Sequence, residues 1–493
     1  MCQKSLASPT GKRRTFVPGK SSWARAGLIL LGLAGLLRAD GRVVPSAPWQ
    51  KDPVPYSLLA DRIVRTALEG EEGYRFLKEL CAIGPRLSGS EKMGEAVRWA
   101  RKKMEDLGLE RVRLQPVTVA PWERGDGEEA FLLDEGGAEK SALRIAALGG
   151  SVGTEGSWLA GGVVEVQSIE ELRLRAVEVR SKFVFFNALL DQGTPNTDTS
   201  YDAVVTNRME GADAASEAGA VAVLVRSLTT KRDDVPHTGV VKYAGKARSI
   251  PAAALSWKAA DDLSAALRQG PGLKVKMRLA CRRLPERRTF NVIGEIRGRE
   301  TPDEIVVVAG HLDSWDLGVG AHDDGGGCLQ ALEVLSLVRR LGLHPKRTIR
   351  CVLYADEEFL SRGAAVYAEA AARSGEKHVA AMESDRGVFD PRGFSLTGTE
   401  ACLKRVREWL PLLAKAHIEW VRPGDGGTAD VSWIKNAEAV FGLLNDSQRY
   451  MDLHHSAHDV YEAVHPHEME LGTAAMAILA VLVSEEGLSP RGE

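Results

Sequence analysis

A chain of 493 residues is too long for one simple core, and two or three domains are expected. Hydrophobic residues at 44% and charged residues at 27% are ordinary for a soluble globular protein. A net charge of -3, with no basic stripe, implies no nucleic-acid or anionic-membrane partner.

The N-terminus carries Lys4, Lys12, Arg13, Arg14, Lys20 and Arg25, then an apolar run over 26–37. Such a run is too short to span a bilayer but suits the core of a signal peptide. Cleavage after Leu37-Arg38-Ala39 is expected. Residues 1–39 then form a leader that exports the chain to the periplasm or the medium. No cysteine stands just after the run, as a lipoprotein anchor would need, so no stable membrane anchor is expected after cleavage. Residues 40–55 read as a linker. Cys2 leaves with the leader, and the other five cysteines contain no CxxC. That argues against a zinc knuckle and against a disulfide framework, although one disulfide stays open. Cys328 and Cys351 lie in apolar runs and read as buried small hydrophobes.

From 57 to 107 the pattern is helical, with apolar residues at three-to-four spacing over 73–83 and 91–107. Between these helices Gly84-Pro85-Arg86-Leu87-Ser88-Gly89-Ser90 reads as a loop, with Ser90 placed to cap the second helix. Residues 119–283 change texture. Short β-like runs appear at 162–166, 183–186 and 221–225, with a helical stretch at 211–220. This block holds no cluster of histidines and carboxylates, and it reads as an inserted structural or lid domain. From 284 to 487 strands and helices alternate. Strands are expected at 290–296, 305–309, 348–354, 378–382 and 439–444, and helices at 328–341 and 363–373. The helix expected at 468–483 reads as a core or subunit-packing element, since it is short and followed by Glu485-Glu486. The expected fold class is α/β: a mixed, mostly parallel sheet sandwiched by helices. Segments 56–118 and 284–487 form this discontinuous domain around the 119–283 insertion.

The chemistry gathers after the strands. Gly310-His311-Leu312-Asp313-Ser314 follows one, then Gly320-Ala321-His322-Asp323-Asp324-Gly325-Gly326-Gly327. Asp356-Glu357-Glu358 and Glu383-Ser384-Asp385 follow two more, and Leu453-His454-His455-Ser456-Ala457-His458-Asp459 lies near the end. Each alone has a plain structural reading. Asp323-Asp324 can cap the next helix, Glu357-Glu358 can open one on its positive end, and paired histidines are often incidental. Together they place imidazole and carboxylate groups where open α/β sheets bind ligands. Such donors suit Zn²⁺ without thiolates. A phosphate-cradling reading of 318–327 lacks the Lys-Ser/Thr of a P-loop.

These motifs, in this order and spacing, resemble the co-catalytic zinc exopeptidases that include the bacterial double-zinc aminopeptidases and the glutamate carboxypeptidases. The resemblance covers roughly 55–485, including a protease-associated-type insertion. It implies two Zn²⁺ per chain, with Asp323 bridging. His311 and Asp385 would complete one site, and Glu358 and His455 the other. Glu357 would be the general base, and Asp313 would hold the His311 imidazole from behind. Asp459 would have a supporting role, and Asp430, in Gly426-Gly427-Thr428-Ala429-Asp430, would contact substrate. His454 and His458 are the alternatives to His455. The implied reaction is hydrolysis of dipeptides or short peptides by a water activated between two cations. The carboxylate not spent on metal carries the proton to the leaving amine. Whether the enzyme acts as an aminopeptidase or as a carboxypeptidase/dipeptidase stays open, and a homodimer is an implied assembly. Two competing classes are a catalytically silent receptor ectodomain on the same fold, marked by lost ligands, and a single-zinc aminoacyl cyclase. All five ligands and the base are present.

Overall fold

The computed structural model describes residues 55–488 except 195, 246 and 271. The leader and nearly all of the linker read from the sequence lie outside the described residues. An eight-stranded sheet organises the chain. Its order is Glu110–Val119, Arg287–Ile296, Arg347–Tyr354, Thr301–His311, Lys377–Glu383, Ala439–Asn445, Pro391–Gly398 and Trp420–Pro423. The four strands from Arg347–Tyr354 to Ala439–Asn445 run parallel. Antiparallel pairs flank them on both sides.

The strand Thr301–His311 shows why these residues form the centre. Ile305, Val306, Val307, Val308 and Ala309 are all fully buried. Side chains alternate across a strand, so both faces must be covered. Val306 and Val308 join the core made with helices Gly326–Arg340 and Pro466–Glu486. Ile305, Val307 and Ala309 join a second core that contains Ala364, Tyr367 and Ala371 of helix Arg362–Ser374. A continuous apolar run is thus a strand buried on both sides.

Helix Pro466–Glu486 is long and apolar enough to cross a bilayer, yet 89% of its apolar window is buried inside the protein. It packs as a core helix. Ser90 accepts a hydrogen bond from the Met93 amide and caps helix Glu91–Asp106. Cys81, Cys281, Cys328, Cys351 and Cys402 are all buried free thiols, so no disulfide forms among the described residues.

A second eight-stranded sheet lies within 128–279. Strands Leu159–Val166, Phe183–Phe186, Ala222–Arg226 and Ala252–Leu255 are parallel at its centre. Phe183 and Phe185 face one core of this sheet and Val184 and Phe186 the other. The antiparallel strands on one side of it, Glu128–Leu133, Glu139–Leu143 and Lys274–Leu279, are half polar, which hid them from the sequence pattern.

Candidate metal centre

Thr301–His311 pairs with Arg347–Tyr354 on one side and Lys377–Glu383 on the other. The chain leaves it first in one direction and then in the other, so its carboxyl end is a topological switch point where a crevice opens. His311 is the last residue of that strand. Glu357 and Glu358 follow Arg347–Tyr354, Asp385 follows Lys377–Glu383, and His454 and His455 lie in the loop beyond Ala439–Asn445.

Asp323 is the hub. Its Oδ1 lies 3.3 Å from His311 Nε2, and that same nitrogen lies 3.4 Å from Asp385 Oδ1. Its Oδ2 lies 3.2 Å from His455 Nε2, which lies 3.2 Å from Glu358 Oε2. The two oxygens of one carboxylate therefore face two separate imidazole–carboxylate pairs. His311 Nε2, Asp323 Oδ2 and Glu358 Oε1 are buried without a hydrogen-bond partner. Buried polar atoms are seldom left so. Ligands held about 2.0–2.1 Å from a tetrahedral zinc stand about 3.3 Å from one another. The observed separations match that spacing, so the donor set fits a divalent metal on each side of Asp323. Glu357 Oε2 lies 4.0 Å from His311 Nε2 and belongs to neither pair.

Burial disfavours charge on His311, Asp323 and Glu357, and the neighbours oppose or reinforce it. Burial works to lower His311, but the carboxylates of Asp323 and Asp385 hold it well above the ordinary histidine value. Burial works to raise Asp323, but His311 and His455 hold it well below the carboxylate range. Burial, reinforced by Asp385 and Glu358, pushes Glu357 well above its ordinary value.

The supporting contacts are specific. His455 has φ 60°, the left-handed region that is uncommon outside glycine. Its ring Nδ1 lies 3.3 Å from the Thr238 carbonyl, and the Thr238 amide donates to the His455 carbonyl at 2.9 Å. Asp459 accepts hydrogen bonds from the Ala321, His322 and Asp323 amides and so holds the hub's own backbone. Asp324 accepts from the Gly327 amide in the first turn of the following helix, whose N-cap is Gly325, and also receives the His311 amide. The two adjacent aspartates thus split the structural and the ligand readings between them. A Cβ on Gly310 would meet Asp324 Oδ2 at 2.6 Å, and one on Gly327 would meet the Ser384 carbonyl at 1.9 Å. These glycines allow helix and strand to close on the site and do not cradle phosphate.

Asp313 stands behind the His311 ring, with its carboxylate Oδ1 3.9 Å from Nδ1. The Asp313 carbonyl lies 3.1 Å from the same nitrogen, while the carboxylate turns to the Glu357 and Glu358 amides at 3.2 and 3.4 Å. Asp430 does not reach the cleft. It is fully buried, its amide bonds to Glu383 Oε2, and Ala429 lines the cleft in its place. His454 stands nearer the hub than its role as an alternative suggests. Its ring stacks on His455 at 3.5 Å and its Nε2 lies 3.7 Å from Asp323 Oδ2.

Arg86 escaped the sequence reading because its partners are distant in the chain. It is fully buried and donates to the carbonyls of Leu312, Val319 and Gly320, on the segment between His311 and Asp323. Ser88 in the same loop donates to Asp356 at 2.6 Å, beside the two glutamates. Replacing Arg86 by Met leaves buried carbonyls without donors, at about 1–3 kcal/mol each. The expected results are a fall of roughly 3 kcal/mol or more in unfolding free energy by denaturant titration, and weaker metal retention. Unchanged stability and metal retention would show that the clamp is dispensable.

Fold and centre together define an α/β protein with a buried imidazole–carboxylate centre, fit for divalent metal, at the carboxyl ends of its central strands. The profile of peptidase family M28 matches residues 291–480. Bovine carboxypeptidase Q is 34% identical over 441 residues, covering 88% of this chain and 91% of that protein. The solved structure of a peptidase M28 precursor from Shewanella amazonensis is 31% identical with a TM-score of 0.83, covering 89% of this chain and 98% of that one. A zinc aminopeptidase from Bacillus subtilis shares the fold at 17% identity and a TM-score of 0.59, covering 88% and 96%. The chain belongs to peptidase family M28 and is a metallopeptidase.

Proposed function

We propose that this protein is an exported exopeptidase that splits dipeptides and short peptides at a centre of two zinc ions. The double facing of Asp323, with one oxygen toward His311 and Asp385 and the other toward His455 and Glu358, carries this reading. A carboxylate can bridge two metals where a neutral imidazole, with one free lone pair, cannot, and imidazole with carboxylate suits zinc. His311 and Asp385 would hold one ion with Asp323, and His455 and Glu358 the other. Zinc held by these residues would supply an acidified water and a Lewis acid for the scissile carbonyl. Glu357 lines the same cleft, free of both ligand pairs, and is placed to take the proton of the attacking water and pass it to the leaving amine. Asp313, through the Glu357 and Glu358 amides, keeps base and ligand side by side. The cleft measures about 360 Å³, a size suited to a short peptide. The activity named for the bovine relative supports substrates with a free carboxyl end. Segment 119–283 is read as a protease-associated-type insertion, and the basic and apolar stretches before residue 40 as the export leader.

Hydrolysis of free, N-acylated and C-amidated dipeptides by zinc-loaded protein tests the reading. Cleavage of the first two and sparing of the third is expected. Cleavage confined to peptides with a free amine would make the enzyme an aminopeptidase. No cleavage of any of them would remove the exopeptidase reading.

A further inference from the structure

We propose that Glu333 and Glu470 share one proton and form an acid-favoured pin, which holds the start of helix Glu72–Ile83 against the core and is released as pH rises. Glu333 lies on helix Gly326–Arg340 and Glu470 on helix Pro466–Glu486, and both are fully buried. Each gives one oxygen to the pinned helix. Glu333 Oε2 accepts from the Gly73 amide at 2.8 Å, and Glu470 Oε1 accepts from the Tyr74 amide at 3.1 Å. These amides belong to the first turn, where a helix has no acceptors of its own and carries its positive end. The approach is close, since a Cβ on Gly73 would sit 2.3 Å from Glu333 Oε2. The other oxygens, Glu333 Oε1 and Glu470 Oε2, are buried and accept no hydrogen bond from a donor around them. The two carboxyl groups face each other within hydrogen-bond reach. A proton between them satisfies both oxygens and leaves one charge where two would repel in a dry interior.

The other charged groups that face the pair do not replace the proton. Arg340 Nη1 stands 3.9 Å from Glu333 Oε1 and 3.7 Å from Glu72 Oε2, too far to hydrogen-bond either, and its Nη2 donates to the Thr66 carbonyl. Glu71 and Glu72, at the start of the pinned helix, add negative charge. Burial, with Glu470 opposite, pushes Glu333 well above the carboxylate range, and burial raises Glu470 as well. A carboxyl kept protonated in the folded protein but ionised in the unfolded chain makes folding take up a proton. The pin is therefore whole below about pH 4.3, the ordinary glutamate value, and is lost as pH rises through the raised value of the pair. The pinned helix backs the metal centre. Its Leu77 comes within 3.1 Å of where a Cβ on Gly325 would sit, next to Asp324, and the helix ends at Gly84, two residues before Arg86.

Denaturant unfolding from about pH 5 to 9 of the zinc-loaded protein and of its Glu333→Gln and Glu470→Gln variants tests the pin. Either glutamine supplies the hydrogen without a titrating proton. The metal-centre carboxylates titrate in all three proteins, so the difference between them is read. At the acid end the three should be alike. Past the point of release, the folded-to-unfolded ratio of the unmutated protein should fall against both variants by up to about tenfold per pH unit, the slope of one proton. Hydrogen exchange of the unmutated protein is the second arm. After correction for the intrinsic rate, protection of the Gly73 and Tyr74 amides should fall over the same range. Parallel stability curves in the three proteins overturn the pin. So do variants weaker by one factor at every pH, which would make the pair a plain packing contact. Protection of Gly73 and Tyr74 that stays constant across the range overturns it even if neither variant folds.

Discussion

Glu357→Gln should keep its zinc and lose about 10²–10⁴-fold in peptide turnover, the usual contribution of a positioned acid–base group. The change is nearly isosteric and leaves both ligand pairs around Asp323 untouched. The Glu357 amide, which donates to Asp313 at 3.2 Å, is backbone and survives it. What is lost is the carboxylate that lines the cleft 4.0 Å from His311. Its ordinary value is pushed well up by burial, with Asp385 and Glu358 adding to the effect. Turnover near wild type in a zinc-replete mutant would remove Glu357 from the reaction.

Asp323→Asn should fail in the opposite way, by losing metal. Asparagine keeps the shape but carries no charge, and only one of its side-chain atoms is an oxygen. Both imidazoles now served by the carboxylate, His311 and His455, would lose their shared partner. Zinc content after dialysis should fall on both sides. Activity should fall by more than the roughly 10–100-fold that loss of a mere outer partner costs. Emission spectroscopy of the dialysed protein decides it, since full zinc retention is incompatible with a bridging role. His455→Ala, by contrast, should weaken one side only.

The sequence displayed some of this and hid the rest for physical reasons. The central strands were readable because burial on both faces demands a continuous apolar run, as in 305–309. Pro391–Gly398 and Trp420–Pro423 were not, because both carry proline and exposed positions that break the apolar run, and the second is the edge of the sheet. The cluster His311, Asp323, Glu358, Asp385 and His455 was readable because each member follows a strand of one sheet. The partners of those residues were less so. Whether Asp313 presents its carbonyl or its carboxylate to an imidazole depends on a side-chain rotation that no spacing records. Arg86 acts across more than two hundred residues on a segment far along the chain, and it lies in no local motif. The insertion read as bland because it has no ligand cluster of its own. Its contribution is Thr238, whose backbone meets His455 in a centre built elsewhere.

The proposed centre is a pair of zinc ions held on the two sides of Asp323. Metal-free protein titrated with zinc, with dipeptide hydrolysis followed at each addition, tests it most directly. Activity that reaches its plateau at two equivalents of bound zinc per chain is the predicted result. A plateau at one equivalent, or hydrolysis without bound zinc, would contradict it.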